Sequence, residues 1–234
     1  MARQRIFWRL AKWHIWLGWL IAVPLLMWTI TGLVMVSRPI DEVRGEHLRL
    51  SHHAALPAGG SYSIRLPAQP AQPITDARVR MQAGQSVTLI TYEDGSADRV
   101  AADGTLLPPL TEAQARALVA THIVDGNEVA VVRLFRADEV PVAFRRPLPV
   151  WRVELENGTH IYVGQRSGAI EAVRTPFWRL FDVMWGLHIM DLSEREDTHH
   201  PLLILFAALS MLGVLIGTVL LFRRRGNRRS DAAC

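Results

Sequence analysis

"WHIWLGWLIAVPLLMWTITGLVM", residues 13–35, holds a single ionisable group, His14, in an otherwise uncharged run. With Val36 the segment is roughly 24 residues long, against the ~20 that cross a bilayer as helix. A second segment, Leu202 to Phe222, is roughly 21 residues long by the same measure and carries no ionisable side chain. Surface helices of soluble proteins alternate apolar and polar positions at the helical period; these segments do not. Half of the 234 residues are hydrophobic, and the two segments account for much of that excess. The chain therefore reads as a membrane protein with two spans, residues 13–36 and 201–222.

Basic residues set the orientation. Arg3, Arg5, Arg9 and Lys12 precede the first span, and Arg223, Arg224, Arg225, Arg228 and Arg229 follow the second. Both ends, 1–12 and 223–234, are expected on the cytoplasmic side, with the middle outside. Those nine charges, less Asp231, give +8 at the ends and leave −4 for the rest of a chain of net charge +4. The basic balance is thus a membrane signal, and no nucleic-acid partner is expected. "MVSRPI" is a poor cleavage site and the first apolar run is long, so it reads as an uncleaved anchor. The one cysteine, Cys234, leaves no disulfide framework and no Cys-based metal or c-type haem site. Ligands must come from His, Met or carboxylate.

Residues 37–174 are polar and open with an extended arm, "LPAGGSYSIRLPAQPAQP", that has neither a helical nor a strand period. "SVTLITYEDGSADRVAADGTL" and "PVWRVELENGTHIYVGQRSGAI" then each alternate as a strand, an acidic-Asx-Gly turn and a second strand. Asp94-Gly95 and Asn157-Gly158 are two-residue hairpin signals, and their offset of about 63 residues suggests a duplicated α+β unit. "TEAQARALVATHIV" is capped by Thr111 and places Ala115, Leu118, Val119 and His122 on one side. With "EVAVVRLFR" after it, the second unit reads helix, strand, hairpin, short strand. The first lacks the helix and reads as truncated.

The second hairpin unit resembles a PepSY domain, "WHIWLGWLIAVPLLMWTITGLVM" resembles the first helix of PepSY-associated transmembrane proteins, and "FWRLFDVMWGLHIMDLSEREDTHHPLLILF" resembles the approach to their later helix. The similarity covers Trp8 to Pro39 and Pro149 to Phe222. It implies a membrane α+β fold: two transmembrane helices flanking a periplasmic α+β PepSY-like domain of antiparallel sheet plus helix, in a bacterial inner membrane. The truncated repeat spans about 76–107, the PepSY-like domain about 111–174, and an amphipathic interfacial helix 175–192. Members of the family range from unassigned two-span proteins to haem-carrying reductases of siderophore-bound iron. This chain departs from those reductases in having two spans where they have four or more.

The histidines decide between the functions. His14 shares a helical face with Gly18, Ile21 and Leu25; it is either a haem ligand with Gly18 leaving room for a porphyrin edge, or a member of an aromatic belt with Trp8, Trp13 and Trp16. The haem-carrying relatives keep a histidine ahead of a Trp-Leu-Gly stretch. In "TPFWRLFDVMWGLH" the residues Phe177, Phe181, Met184, Trp185 and His188 recur three and four apart, as in a surface-lying amphipathic helix. Asp197 and Thr198 read as caps of the second span, with Pro201 in its first turn. Capping leaves His188, His199 and His200 without a use; imidazoles at a membrane boundary suit haem iron or a metal, with neighbouring carboxylates orienting them. His52 and His53 fall in the arm, and His47, His122 and His160 have no ligand spacing. About 30 Å of hydrocarbon separates His14 from His199 and His200, so one haem cannot use both ends. Any second inner ligand would come from another chain, and the Gly213-x-x-x-Gly217 motif offers a homodimer contact. Pro24 is expected to kink the first span, with Thr29 and Thr31 satisfying the freed carbonyls.

Two functions follow. One is a protein binding haem b that passes electrons from quinol or a membrane partner to periplasmic ferric iron or a siderophore; without G-x-G-x-x-G, hydride from a nicotinamide is not expected. The other is a membrane-anchored binding or regulatory module that engages a periplasmic peptide, protease or receptor through sheet edges. No nucleophile-base pair supports hydrolysis.

Overall fold

The computed structural model describes residues 2–50, 55–59, 62–67, 70 and 72–231. His52 and His53 lie outside the described residues. The chain divides into two compact units, Met1–Arg38 with Leu180–Cys234, and Pro39–Arg179.

The first unit is helical. α1 runs Ala2–Val36 without a break at Pro24, and α5 runs Pro201–Asp231. Within them, Arg5–Val36 and Pro201–Arg223 are long and apolar enough to cross a membrane, and only 17% and 6% of the residues in their apolar windows are buried. A soluble core helix would bury most of such a stretch. Here Trp16, Trp19, Val23 and Leu33 on α1 and Met211, Val214 and Phe222 on α5 are exposed, as lipid-facing side chains must be. The expected role of the two threonines needs correction. Pro24 frees the carbonyl four residues back, that of Leu20, whereas Thr29 donates to the Leu25 carbonyl at 2.8 Å and Thr31 to that of Met27 at 2.8 Å. Each serves the carbonyl four residues before itself. Between the two long helices, α4 (Pro176–Ile189) starts in the other unit and ends in this one.

The second unit holds two antiparallel sheets, β1-β2-β3 (Ile74–Gln82, Gln85–Tyr92, Ala97–Ala101) and β4-β5-β6-β7 (Val129–Phe135, Val150–Leu155, His160–Gly164, Ile170–Arg174). It opens with a short helix α2 (Ile40–Val43) and a single 3-10 turn at Glu46–Leu48. β1, a strand the sequence reading placed in no element, lies beside β2 as β4 lies beside β5. The Gly104 turn and the Val100–Leu106 bridge stand where β7 stands in the second copy. The helix α3 (Glu112–His122) belongs to the second copy only; Thr111 and Gln114 form a reciprocal capping box at its start. Ala115 and Val119 of α3 pack on Val153, Leu155, Ile161, Val163 and Val173 of the sheet. The opposite face carries Phe135, Val150, Tyr162 and Ala172, covered by Phe144 from the β4–β5 connection.

The hairpins differ from a two-residue turn. In the first, Tyr92 N–H donates to the Ser96 carbonyl and Gly95 N–H to the Tyr92 carbonyl; Gly95 is left-handed at φ 77°, while Asp94 keeps a negative φ. Asn157-Gly158 repeats the pattern between Leu155 and Thr159. These are three-residue loops ending in a left-handed glycine. The Asx carboxylate or amide oxygen takes the N–H two residues on, at 2.9 Å in both, and that favours a right-handed backbone at the Asx position.

The two sheets are joined by polar contacts. Arg166 reaches Asp98 with two bonds, at 2.6 and 2.5 Å, and Tyr92 donates to the same carboxylate at 3.1 Å. Arg99, 7% exposed, donates to the Arg166 carbonyl at 3.1 Å and the Pro108 carbonyl at 2.6 Å; burial lowers its pKa. Gly168 sits beneath this junction at φ 61°, with Gln82 donating to its carbonyl at 2.6 Å.

Candidate functional site

Ring by ring, the helical unit separates the histidines that the sequence brings close together. His14 lies on the face of α1 turned to α5. A Cβ built on Gly217 would come within 2.9 Å of the His14 Cε1 and 3.3 Å of its Nε2, and one on Gly213 within 3.2 Å of Ile21 and 3.5 Å of Leu17. The two glycines therefore let α5 approach α1 of the same chain. Gly18 has nothing within 4 Å of a built Cβ; the glycine that makes room for the His14 ring is Gly217. The Nδ1 atom of His14 is buried and has no hydrogen-bond partner.

His188, near the end of α4, is anchored on α1. Its Nδ1 lies 2.9 Å from the Thr31 hydroxyl, and its carbonyl accepts from the Trp28 indole at 2.9 Å. The Thr31 hydroxyl also lies 2.8 Å from the Met27 carbonyl and 3.2 Å from that of Trp28; with its one proton on a carbonyl it accepts from His188 Nδ1, and the lone pair is then left on Nε2. Gly32 leaves a built Cβ 3.8 Å from the ring. The expected orienting carboxylate is thus replaced by a hydroxyl from α1.

His199 is exposed; its backbone N–H donates to Asp197 at 2.8 Å, and its ring nitrogen is 3.5 Å from the Thr198 hydroxyl. Asp197 closes this turn and does not cap α5, which starts at Pro201 immediately after His200. His200 is half-buried, with Nδ1 buried and unpartnered.

Depth follows from helix geometry. Seventeen residues separate His14 from Thr31 on α1, and seventeen separate Gly217 from His200 on α5, about 26 Å in each case. Since His14 meets Gly217 and the helices run antiparallel, His188 on Thr31 and His200 share one end of the pair. His14 stands at the other.

The acidic residues of the α4–α5 loop have structural work. Asp191 accepts from the Ser193 hydroxyl at 2.7 Å and from four backbone N–H groups, those of Ser193, Glu194, Glu196 and Asp197. The Ser193 bond, with the backbone bonds after it, holds the Asp191 carboxyl well below the usual carboxylate range. Arg195 pairs with Asp182, which is 5% exposed, and its carbonyl accepts from the Trp185 indole at 3.1 Å. Gly186 lets the loop close down, since a Cβ there would meet the Asp191 carbonyl at 2.9 Å. Sequence reading missed Trp28, Thr31 and Gly32 as partners of His188. Their spacing, i, i+3 and i+4, marks one face of α1 and was the available signal.

Among the described residues no group of three or more His, Cys, Asp or Glu side chains comes together to hold a metal ion. Haem asks for less, one or two imidazoles on the iron.

Fold and site together define a membrane α+β protein whose helical unit carries imidazoles at both ends and whose other unit is a pair of antiparallel sheets with one packed helix. The model of the PepSY-associated TM region matches residues 1–225, and the chain belongs to that family. No curated protein and no solved structure matches it.

Proposed function

We propose that the helical unit binds haem b and conducts electrons across the membrane. The observation that carries this reading is the contact of His188 Nδ1 with the Thr31 hydroxyl at 2.9 Å, which leaves Nε2 as the nitrogen to ligate. Iron-bound histidines are held in this way, one nitrogen on the metal and the other donating to a partner that sets ring orientation and basicity. His200 supplies a second imidazole at the same end, with Nδ1 unpartnered; His199 is turned to solvent. At the opposite end His14 lies on Gly217, and a second imidazole there would come from another copy of the chain. When bound, haem supplies one-electron chemistry. The chain's part is to orient imidazoles, leave ring space at Gly32 and Gly217, and exclude water with apolar helix faces.

The basic flanks orient the protein with both ends cytoplasmic and the sheet unit periplasmic in a bacterial inner membrane. Electrons enter from quinol or a membrane partner and leave to ferric iron or a ferric siderophore. The test is the visible spectrum of the full chain, purified in detergent from haem-sufficient cells. A low-spin bis-histidine spectrum is expected, and His188→Ala should remove the component at that end. A colourless protein, unchanged by added haem, would overturn the reading and leave a membrane-anchored module binding a peptide, protease or receptor.

A further inference from the structure

The outer strands of the two sheets are β1, β3, β4 and β7, and three of these edges are guarded. Along β7, Arg49 donates to the Ile170 carbonyl at 3.4 Å and Gly45 packs on Val173. β3 is covered by its own return, through Ala101 N–H to the Thr105 carbonyl and Leu107 N–H to that of Arg99, both at 2.8 Å. β1 carries the exposed Arg78 and Arg80, and charge along an edge discourages a further strand. β4 is the fourth. Its sequence, VAVVRLF, holds neither Pro nor Lys, and Val131 and Leu134 are 49% and 39% exposed. Arg133 is held over the Phe135 ring at 4.9 Å, and the bulge between Val129 and Val131 affects only the start of the strand.

The ladder shows which backbone groups this edge offers. Leu155 N–H donates to the Thr159 carbonyl, toward β6, and Glu156 N–H to the Glu128 carbonyl, toward β4, both at 2.9 Å. Successive residues of an antiparallel strand bond to opposite neighbours. Glu154, Arg152 and Val150 therefore bond to β4, across from Val131, Arg133 and Phe135. The N–H and C=O groups of Val132 and Leu134 point outward, toward the place of a further strand.

These groups allow a second β4 to pair antiparallel in three ways. Pairing Leu134 with its own counterpart runs each strand into the turn of the other, where Glu139 N–H donates to the Arg136 carbonyl. Pairing Val132 with Leu134 sets Arg133 against the second copy's Arg133, a like-charge contact that destabilises. Pairing Val132 with its own counterpart overlaps the whole of Val129–Phe135 and places Ala130 beside the second copy's Leu134. It also sets Glu128, one residue before the strand, opposite the second copy's Arg136, one residue after it, and the two-fold axis makes this pair twice. Opposite charges directly across favour the pairing. Glu128 is exposed, and the Arg136 side chain is 77% exposed with Asp138 at 3.7 Å, so both can reach across.

We propose that β4 is a dimerisation edge: it pairs antiparallel with β4 of a second copy, centred on Val132 and held by Glu128 and Arg136 in both directions. The partner is chosen by the self-complementary charge of the strand's two ends. The inference is independent of haem.

The test uses the full chain with Cys234→Ser, in a neutral detergent. Sedimentation equilibrium should show a reversible dimer. Glu128→Arg and Arg136→Glu should each weaken it several-fold, and the two together should restore it, because the charges are exchanged and not lost. Both positions are exposed, so the variants should melt as the parent does. Under mild oxidation Val132→Cys should cross-link to its own counterpart in preference to Leu134→Cys, which faces Ala130 in this register. A chain that stays monomeric would overturn the proposal and leave the edge to a foreign peptide. A double exchange no better than either single variant, or Leu134→Cys cross-linking as readily as Val132→Cys, would overturn it as well.

Discussion

Replacing Thr31 by Val keeps the shape of the residue and deletes the hydroxyl that holds His188. Thr31 is 2% exposed, so water cannot take its place, and the Nδ1–H of His188 loses its 2.9 Å partner. A typical hydrogen bond contributes about 1 kcal/mol net, and a buried donor left unpaired costs about 1–3 kcal/mol. Loss of a group that orients a metal-bound histidine weakens binding about 10–100-fold, or about 1.4–2.8 kcal/mol. Two independent lines thus give the same range. Nitrogen-15 spectra of labelled histidine, recorded on the haem-free chain in detergent, should place the wild-type His188 proton on Nδ1. In Thr31→Val the preference should fall by about fivefold, the equivalent of 1 kcal/mol. Haem titration should show the affinity loss in Thr31→Val and its recovery in Thr31→Ser. Thr29→Val is the control, since Thr29 is exposed and bonds only to its own helix at 2.8 Å. A wild-type His188 protonated on Nε2, or a Thr31→Val chain that binds haem as tightly as wild type, would refute the reasoning.

Gly217→Leu should drive the His14 ring off α5, because even a Cβ would sit 2.9 Å from Cε1; the spectral component assigned to His14 should vanish while that of His188 persists. Gly168→Ala should destabilise the sheet unit more than Gly95→Ala, as read by pulse proteolysis of the full chain. Both positions have positive φ and share a strain of about 1–2 kcal/mol, but a Cβ on Gly95 meets nothing whereas one on Gly168 comes within 2.9 Å of Arg99. The hydrogen-exchange protection factors of the α4–α5 loop, taken relative to the intrinsic exchange rate at each pH, should hold down to about pH 4, the ordinary aspartate value. Asp191 has a depressed folded pKa, so its contribution is complete above the unfolded pKa and is lost as pH falls below it toward the folded one; loosening already at pH 6 would contradict this.

Sequence by itself determined the elements whose causes are local. Two runs of bilayer length specify the apolar helices, because no Asp, Glu, Lys or Arg interrupts them. Thr111 and Gln114 mark the start of α3 three residues apart, and Asp94-Gly95 and Asn157-Gly158 mark the hairpins through an oxygen that reaches only two residues on. β1 escaped notice because the irregular segment before it hid the start of its alternation. Tertiary structure alone decided the use of each histidine and glycine. His188 and Thr31 are 157 positions apart, and no pattern along the chain reports which ring nitrogen a distant hydroxyl will engage. Gly213-x-x-x-Gly217 looks the same in sequence whatever it meets; the antiparallel return of α5 sets it against Leu17, Ile21 and His14 of α1. Likewise, strand register sets Arg133 against Arg152. Hydrogen bonds and close contacts act over a few ångströms, so their partners are known only once packing has brought remote segments together.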